Sequence, residues 1–402
     1  MKWQRVNLGD LYKIGSSKRV LKSQWAAEGV PFYRGREITV LSKFGSVEND
    51  LFISKELYSE YADKYGVPKA DDIVITAIGT IGNSYVVREH DHFYFKDASV
   101  LWLKRVSDVN SSFINLWLKS PLMKEQLDEG KGATVDTLTI KKLQSLQVDL
   151  PPIPEQQRIV AIIDQAFADI EKARANAEQN LKNARELFDS YLQQVFSQRG
   201  EGWVEHQMTS ICEITSKLVD PRGEVYLDYP HIGAGNIVSN TGELVRIKTA
   251  REESLISGKF VFDSSMVLYS KIRPYLMKVC RPEFIGLCSA DIYPLRPIES
   301  ILNKDYLFYL LLSKDFTDYA VSGSGRAGMP KVNRTHLFNY SVWLPSSEVQ
   351  QLYARRIDLI AGNYQALANV YERKLLSLDE LKQSLLQKAF SGELTKSKGI
   401  AA

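Results

Sequence analysis

Cysteine is scarce. Cys212, Cys280 and Cys288 are the only three among 402 residues, an odd number whose spacing suits neither a disulfide framework nor a zinc ribbon. No stretch approaches the roughly 20 apolar residues of a membrane span, and the amino terminus, MKWQRVNLGDLYK, lacks an apolar secretory core. A reducing cytoplasmic setting without membrane contact is the expectation. Charge of one sign is also missing: 51 basic against 48 acidic residues leave +3, so a face for a polyanion has to come from clustering in space. Hydrophobic content of 44%, charged content of 25% and 10% aromatics are those of an ordinary globular chain, and the length exceeds one ordinary core.

Reactive constellations are absent as well. No G-x-x-x-x-G-K-[ST] loop occurs; GSGRAGMP places Gly323 and Gly328 correctly but puts Met329 where a phosphate-binding lysine belongs. There is no H-E-x-x-H helix, and His90 with His92 reads as a surface pair. HIGAGNI (231–237) lacks the third glycine, the βαβ context and the acidic residue of a dinucleotide site, so it reads as a glycine turn. Nor is there an Asn-Pro-Pro-Tyr-like tetrapeptide of the kind that holds a flipped adenine. LPPIP (150–154) cannot replace it, because no side-chain amide precedes its prolines. These gaps predict a chain that binds no metal or cofactor and is not an enzyme.

What is present is a duplication. LPPIPEQQRIVAIID begins at Leu150 and LPSSEVQQLYARRID at Leu344, an offset of 194. The register holds through Gln156 and Gln350, Gln157 and Gln351, Ile163 and Ile357, Asp164 and Asp358, Leu181 and Leu375, to Phe196-Ser197 and Phe390-Ser391. Apolar residues then step by threes and fours (Ile159, Ile163, Ala166, Ile170 and onward; Ile357, Ile360, Tyr364, Leu367 and onward), the seam of a helix that packs on another helix. Both seams carry the same stutter, Ala177 to Leu181 and Tyr371 to Leu375. The prolines ahead of each run mark a sharp passage from strand to helix. A helix of roughly 40 residues at about 1.5 Å per residue spans on the order of 60 Å.

A weaker echo precedes each helix at an offset of about 200: WQRVNLGDLYKIGS (Trp3–Ser16) with WVEHQMTSICEITS (Trp203–Ser216), and VPFYRGREI (Val30–Ile38) with YPHIGAGNI (Tyr229–Ile237). The chain therefore reads as globular unit, helix, globular unit, helix, an order that predicts chain ends close together. β-Branched and aromatic runs such as DDIVITAIGTIGNSYVV (71–87) and SSMVLYSKI (264–272) read as strands, and SSFINLWLKSPLMKEQL (111–127) and KDYLFYLLLSKDFTDYA (304–320) as helices. The fold class is α+β, with two mixed domains at 1–150 and 200–344 and two helical spacers at 151–199 and 345–396 that pair as an antiparallel coiled coil.

The duplicated helix starts, the Phe-Ser-Gly-Glu-Leu run at Phe390–Leu394 and the strand-like YSKIRPYLMKV (269–279) resemble the specificity subunit of Type I restriction-modification systems over essentially the whole chain. The second copy departs from the pattern, with Val349 where Glu155 stands in the first. The resemblance implies two target recognition domains, each reading one half of a split, asymmetric site in double-stranded DNA. It implies a helix pair that sets their spacing and docks two modification (methyltransferase) subunits, with restriction (translocase and nuclease) subunits joining them. S-adenosylmethionine, ATP and Mg would then serve the partners, and this chain would recognise without catalysing.

On that reading, DNA contacts fall on loop Arg, Lys, Asn, Ser and Thr near the strands, where phosphate contacts position and base-edge contacts specify. The candidates in the first domain are Ser16, Ser17, Lys18, Arg34, Arg36, Thr76, Thr80, Asn83, Lys131 and Thr134. In the second they are Lys217, Asn236, Lys271, Arg273, Arg326, Lys331 and Asn333. The glycine-flanked loops 130–134 and 322–331 rank first, since they precede the two helices at matching places and glycine permits close backbone approach. The rival readings are a stand-alone enzyme and a coiled-coil spacer that reads no DNA.

Overall fold

The two proline-led segments start helices at Ile153–Ser197 and Ser347–Phe390 in the computed structural model, which describes residues 3–128, 137–325 and 330–396. Glu155 and Glu348 lie in the first turns, where an acidic side chain complements the helix dipole. The chain divides into two units. Unit 1 is Met1–Ala177 with Arg373–Ala402, and unit 2 is Glu178–Glu372. Each long helix thus gives one half to each unit.

Within unit 1 the start of the first long helix packs antiparallel on the end of the second. Arg174 pairs with Asp379, Lys382 donates to Glu171 at 3.0 Å, and the Lys382 ammonium sits 4.7 Å from the Phe167 ring centroid. Ile159, Ile163, Leu386, Ala389 and Phe390 join the unit's main core. Within unit 2 the remaining halves pair in the same sense: Phe188 stacks on Tyr364 at 6.0 Å, with the Arg185 guanidinium over both rings. The expected antiparallel coiled-coil pairing is therefore present in each unit.

Unit 1 carries a four-stranded antiparallel sheet in the order Tyr12–Gly15, Val100–Arg105, Ile73–Thr76, Ser84–Val86. A smaller sheet contains Val30–Tyr33 beside Tyr94–Phe95, and a ribbon pairs Gln4–Asn7 with Gln147–Leu150. Unit 2 repeats the plan: Cys212–Glu213, Ile292–Pro297, Val267–Ser270, Val279–Cys280 in one sheet, Pro230–Ile232 beside Gly286–Ser289 in another, and Val204–Gln207 paired with Ser341–Leu344. Both sequence echoes at offset 200 thus correspond to matching strands. Trp3 packs beside Gly392, and Trp3 and Leu394 both lie against the same core, so the first and last described stretches of the chain come together in unit 1 as the repeat order predicts.

Two readings of local structure change. YSKIRPYLMKV is not one strand: Val267–Ser270 ends at Ser270, Pro274–Leu276 forms a single 3-10 turn, and Val279–Cys280 returns antiparallel. Pro274 fixes φ and removes a ladder donor, which turns the run into a hairpin. The helical stretches each split in two, Ser111–Leu118 with Pro121–Asp128 and Lys304–Leu312 with Lys314–Ser322.

The doubled glutamines acquire a physical role. Gln156 Nε2 donates to Pro151 O at 2.7 Å while its Oε1 accepts from Asn110 N at 2.9 Å. Gln350 Nε2 donates to Pro345 O at 2.9 Å and Ile301 O at 2.8 Å, and its Oε1 accepts from Asn303 N at 2.9 Å. Each side chain is 1% exposed. Asn110 and Asn303 are the N-caps of Ser111–Leu118 and Lys304–Leu312, so one amide locks the start of the long helix to the cap of the domain helix in each unit. In unit 2 Arg281 adds a tie: it donates to Asp305 at 2.6 Å and to Asp358, which also accepts from Tyr309 Oη at 2.6 Å.

Candidate nucleic-acid interface

In each unit the hairpin turn meets the segment that leads to the last domain strand. In unit 1 the turn between Ile73–Thr76 and Ser84–Val86 is bridged at Ile78 to Thr137, and Leu138 N donates to Ala77 O at 2.8 Å. In unit 2 Ile272 is bridged to Lys331, and Val332 N donates to Lys271 O at 2.8 Å. Every one of these positions is related to its counterpart by 194 residues, the helix offset. The backbone of this junction is duplicated and Ile78 recurs as Ile272, but the flanking side chains differ: Ala77 becomes Lys271, Gly79 becomes Arg273 and Thr137 becomes Lys331.

The unit 2 junction is cationic. Arg273 adopts a left-handed conformation at φ 49° and donates its backbone N–H to Pro330 O at 2.8 Å, leaving an exposed guanidinium without a side-chain partner among the described residues. Met277 closes the same turn at φ 47°. Two left-handed non-glycine residues cost on the order of 1 kcal/mol each, and such strain persists where surrounding bonds dictate it. Lys271 lies over the Tyr293 ring at 5.1 Å, and burial, reinforced by Lys331, holds its ammonium below the ordinary lysine range. Lys331 reaches Asp291 at 3.1 Å. Arg334, which sequence reasoning overlooked, is exposed beside them with its guanidinium 5.4 Å from the Phe338 ring. Tyr293, Gly323, Lys331, Asn333 and Arg334 line a cavity of about 440 Å³.

The unit 1 junction is polar and uncharged by comparison. Gly79 and Gly82 take φ of 78° and 89°, conformations that only glycine adopts without penalty. Asn83 Nδ2 donates to Thr39 Oγ1 and Thr80 O, each at 3.2 Å, and the Thr80 and Thr39 hydroxyls lie 3.2 Å apart. Ser16 and Ser17 stand close by: Ser16 Oγ accepts from Ala98 N at 3.2 Å, Ser17 Oγ donates to Phe95 O at 2.6 Å, and the adjacent Ser99 O accepts from Ala77 N at 2.9 Å. Lys18 extends over the Tyr65 ring at 5.6 Å.

Several expected contacts are reassigned. Thr76 is fully buried, and its hydroxyl donates to Thr80 O and accepts from Asn83 N, so it shapes the turn from inside. Asn236 is consumed within its own loop, accepting from Gly233 N at 2.9 Å and donating to Val245 O and Arg246 O at 3.1 Å each. Arg34 and Arg36 both engage buried Glu37 and exposed Asp50, which cancels their charge. Burial pushes the Glu37 carboxyl up, and the hydrogen bonds from Arg34 and Arg36 outweigh it and hold the group below its ordinary value. Asn333 Oδ1 caps the helix Arg334–Phe338 by accepting from His336 N at 2.8 Å. Lys217 is exposed on a loop of unit 2. Lys131, Thr134 and Arg326 lie outside the described residues.

The comparisons with known proteins decide the family. The model of the Type I restriction modification DNA specificity domain matches residues 1–179 and 200–364. The chain belongs to the Type I restriction-modification specificity subunits. The specificity subunit of EcoDI from Escherichia coli is 29% identical over 317 residues, covering 69% of each chain. That of EcoKI from Escherichia coli (strain K12) is 22% identical over 422 residues, covering 96% of this chain and 86% of its own. Among solved structures, the HsdS subunit from Thermoanaerobacter tengcongensis superposes with a TM-score of 0.60 at 19% identity, over 98% of this chain and 97% of its own. A chain solved in work on complex assembly of the type I R-M system gives 0.77 at 18%, over 98% of both. Among the described residues no helix is long and apolar enough to cross a membrane, and no group of three or more His, Cys, Asp or Glu could hold a metal ion.

The family's job is recognition of DNA sequence in partnership with other restriction-modification subunits, and the unit 2 junction is sterically vulnerable. A Cβ on Gly323 would lie 2.2 Å from the His336 ring, which is itself stacked on Tyr319 at 4.1 Å. Gly323→Ala is expected to destabilise unit 2 by about 1–3 kcal/mol through overpacking alone. A denaturation midpoint equal to that of the native chain would contradict this.

Proposed function

We propose that each globular part is a target recognition domain that reads one half of a bipartite, asymmetric DNA site, and that the long helices set the spacing and dock two modification subunits. The observation that carries the proposal is the junction repeated at an offset of 194, with the same backbone, a shared isoleucine at Ile78 and Ile272, and different side chains around it. A duplicated frame presenting Ala77, Gly79 and Thr137 in one unit and Lys271, Arg273 and Lys331 in the other suits two readers of unlike half-sites. S-adenosylmethionine, ATP and Mg then belong to the modification and restriction subunits, and this chain catalyses nothing. Sequencing of methylated adenines in cells with and without the gene tests the reading, since a split motif should vanish with it. Methylation that persists unchanged defeats it.

Salt dependence supplies a second check. Phosphate contacts release condensed counterions, so affinity for duplex DNA in the presence of modification subunits is expected to fall by about 10³-fold or more between 50 and 200 mM salt for about six contacts. A flat titration is incompatible with the proposal.

A further inference from the structure

One exposed ring on the unit 2 hairpin turn has no partner among the described residues. Tyr275 sits in the middle of the 3-10 turn Pro274–Leu276 and is 53% exposed; its ring meets no other ring, and its hydroxyl makes no hydrogen bond. Tyr65, exposed to a similar degree at 51%, by contrast has the Tyr61 ring edge-on at 5.7 Å and the Lys18 ammonium at 5.6 Å.

The backbone holds Tyr275 in one place. Arg273 and Met277, on either side of the 3-10 turn, both take left-handed conformations, which cost energy for residues with a Cβ. Leu276 N donates to Arg273 O and Met277 N to Pro274 O at 2.9 Å each, while Met277 O accepts from Asn240 N at 3.2 Å. Pro274 is itself buried. The frame does not require the ring to stay outside: at the same position of the repeat, Ile81 is half-buried against the main core of unit 1. One unit turns this position inward and the other turns it out.

The surroundings of the ring are cationic. Its turn carries the exposed Arg273 and is joined through Pro330 O to the segment of Lys331 and Arg334. The carboxylate that answers Lys271 and Lys331 is Asp291, at 3.7 and 3.1 Å. A flat apolar ring fixed beside such cations matches an occupant with planar π faces and a negative backbone, which is nucleic acid. An apolar protein face would leave the cations unanswered.

We propose that Tyr275 determines specificity in unit 2 by inserting its ring against a nucleobase of the half-site, at a base step that the neighbouring cations hold in place. Insertion requires local unstacking, which is easiest at pyrimidine–purine steps, so the contacted position is a TA or CA/TG step and is read through its deformability. The inference rests on the proposed reading of a half-site by unit 2 and supplies the residue and the kind of step.

The test assembles the full chain with its modification subunits on cognate duplexes that carry 5-iodouracil at successive thymines of the unit 2 half-site. Irradiation is followed by mass spectrometry of the cross-linked peptide, affinities are measured in parallel, and circular dichroism checks the fold of each variant. A cross-link to Tyr275 is expected at one pyrimidine–purine step. Tyr275→Ala should abolish it and weaken cognate binding about 10-fold, the scale of one aromatic–base stack, whereas Tyr275→Phe keeps the ring and should stay within about 2-fold of the native chain. If Tyr275→Phe loses as much as Tyr275→Ala, if Tyr275→Ala binds like the native chain, or if no position cross-links to Tyr275, the stacking role is wrong while DNA reading by unit 2 stands. If the native assembly does not distinguish cognate from scrambled duplex, the proposed function itself fails.

Discussion

Gln350→Ala is expected to lower the stability of unit 2 by about 1–3 kcal/mol, the cost of leaving buried polar groups without partners. The substitution strips acceptance from Asn303 N and donation to Pro345 O and Ile301 O at a side chain that is 1% exposed. Because Asn303 caps Lys304–Leu312, hydrogen exchange should quicken first along that helix and at the start of Ser347–Phe390. Gln156→Ala should have a smaller effect in unit 1, where the amide serves one carbonyl, Pro151 O, rather than two. Gln350→Glu separates the roles, since it keeps the acceptor for Asn303 and loses both donations. An unchanged denaturation midpoint with unchanged exchange would show that the glutamine is ornamental.

The second large effect is on binding. Arg273→Ala should weaken affinity for the cognate duplex about 10- to 100-fold, the range for losing one specific arginine contact, while assembly with modification subunits stays intact. The guanidinium has no side-chain partner among the described residues, so its removal leaves the fold untouched. Arg273→Gly isolates the side chain from the backbone: glycine accepts φ 49° without penalty and keeps the bond to Pro330 O, yet should lose the same affinity. Equal DNA binding by both variants and the native chain would move recognition away from this turn. Loss of assembly would instead make Arg273 structural.

The pair of predictions separates two layers of the molecule. Gln156 and Gln350 serve the frame, and frame residues recur because both units need the same bond. Arg273 serves the reader, and its counterpart is Gly79 because the other unit offers a different surface on the same backbone.

Much of this architecture was legible in one dimension. Proline ahead of a periodic apolar run, repeated at a constant offset, specified two long helices and their kinship, since both signals act through neighbours three or four residues away. The offset of 200 found at Trp3 and Trp203 likewise led to matching strands. Reading by residue type alone was weaker at the DNA-facing loops. Thr76 and Asn236 look like free polar side chains in sequence, yet one is buried under its own turn and the other staples its own loop. Arg34 and Arg36 look like unspent charge until Glu37 and Asp50 are placed beside them.

By itself, then, the sequence determined the class of fold and the duplication, because local periodicity and turn chemistry are properties of neighbouring residues and the repeat register is read along one chain. Only the tertiary structure decided that the turn after Ser270 meets Lys331, that the turn after Thr76 meets Thr137, and that Gln156 and Gln350 each span a helix start and a domain cap. Those decisions depend on strand pairing and burial across some 50 residues of chain, where the partner of a polar group is chosen by packing and desolvation rather than by what stands next to it.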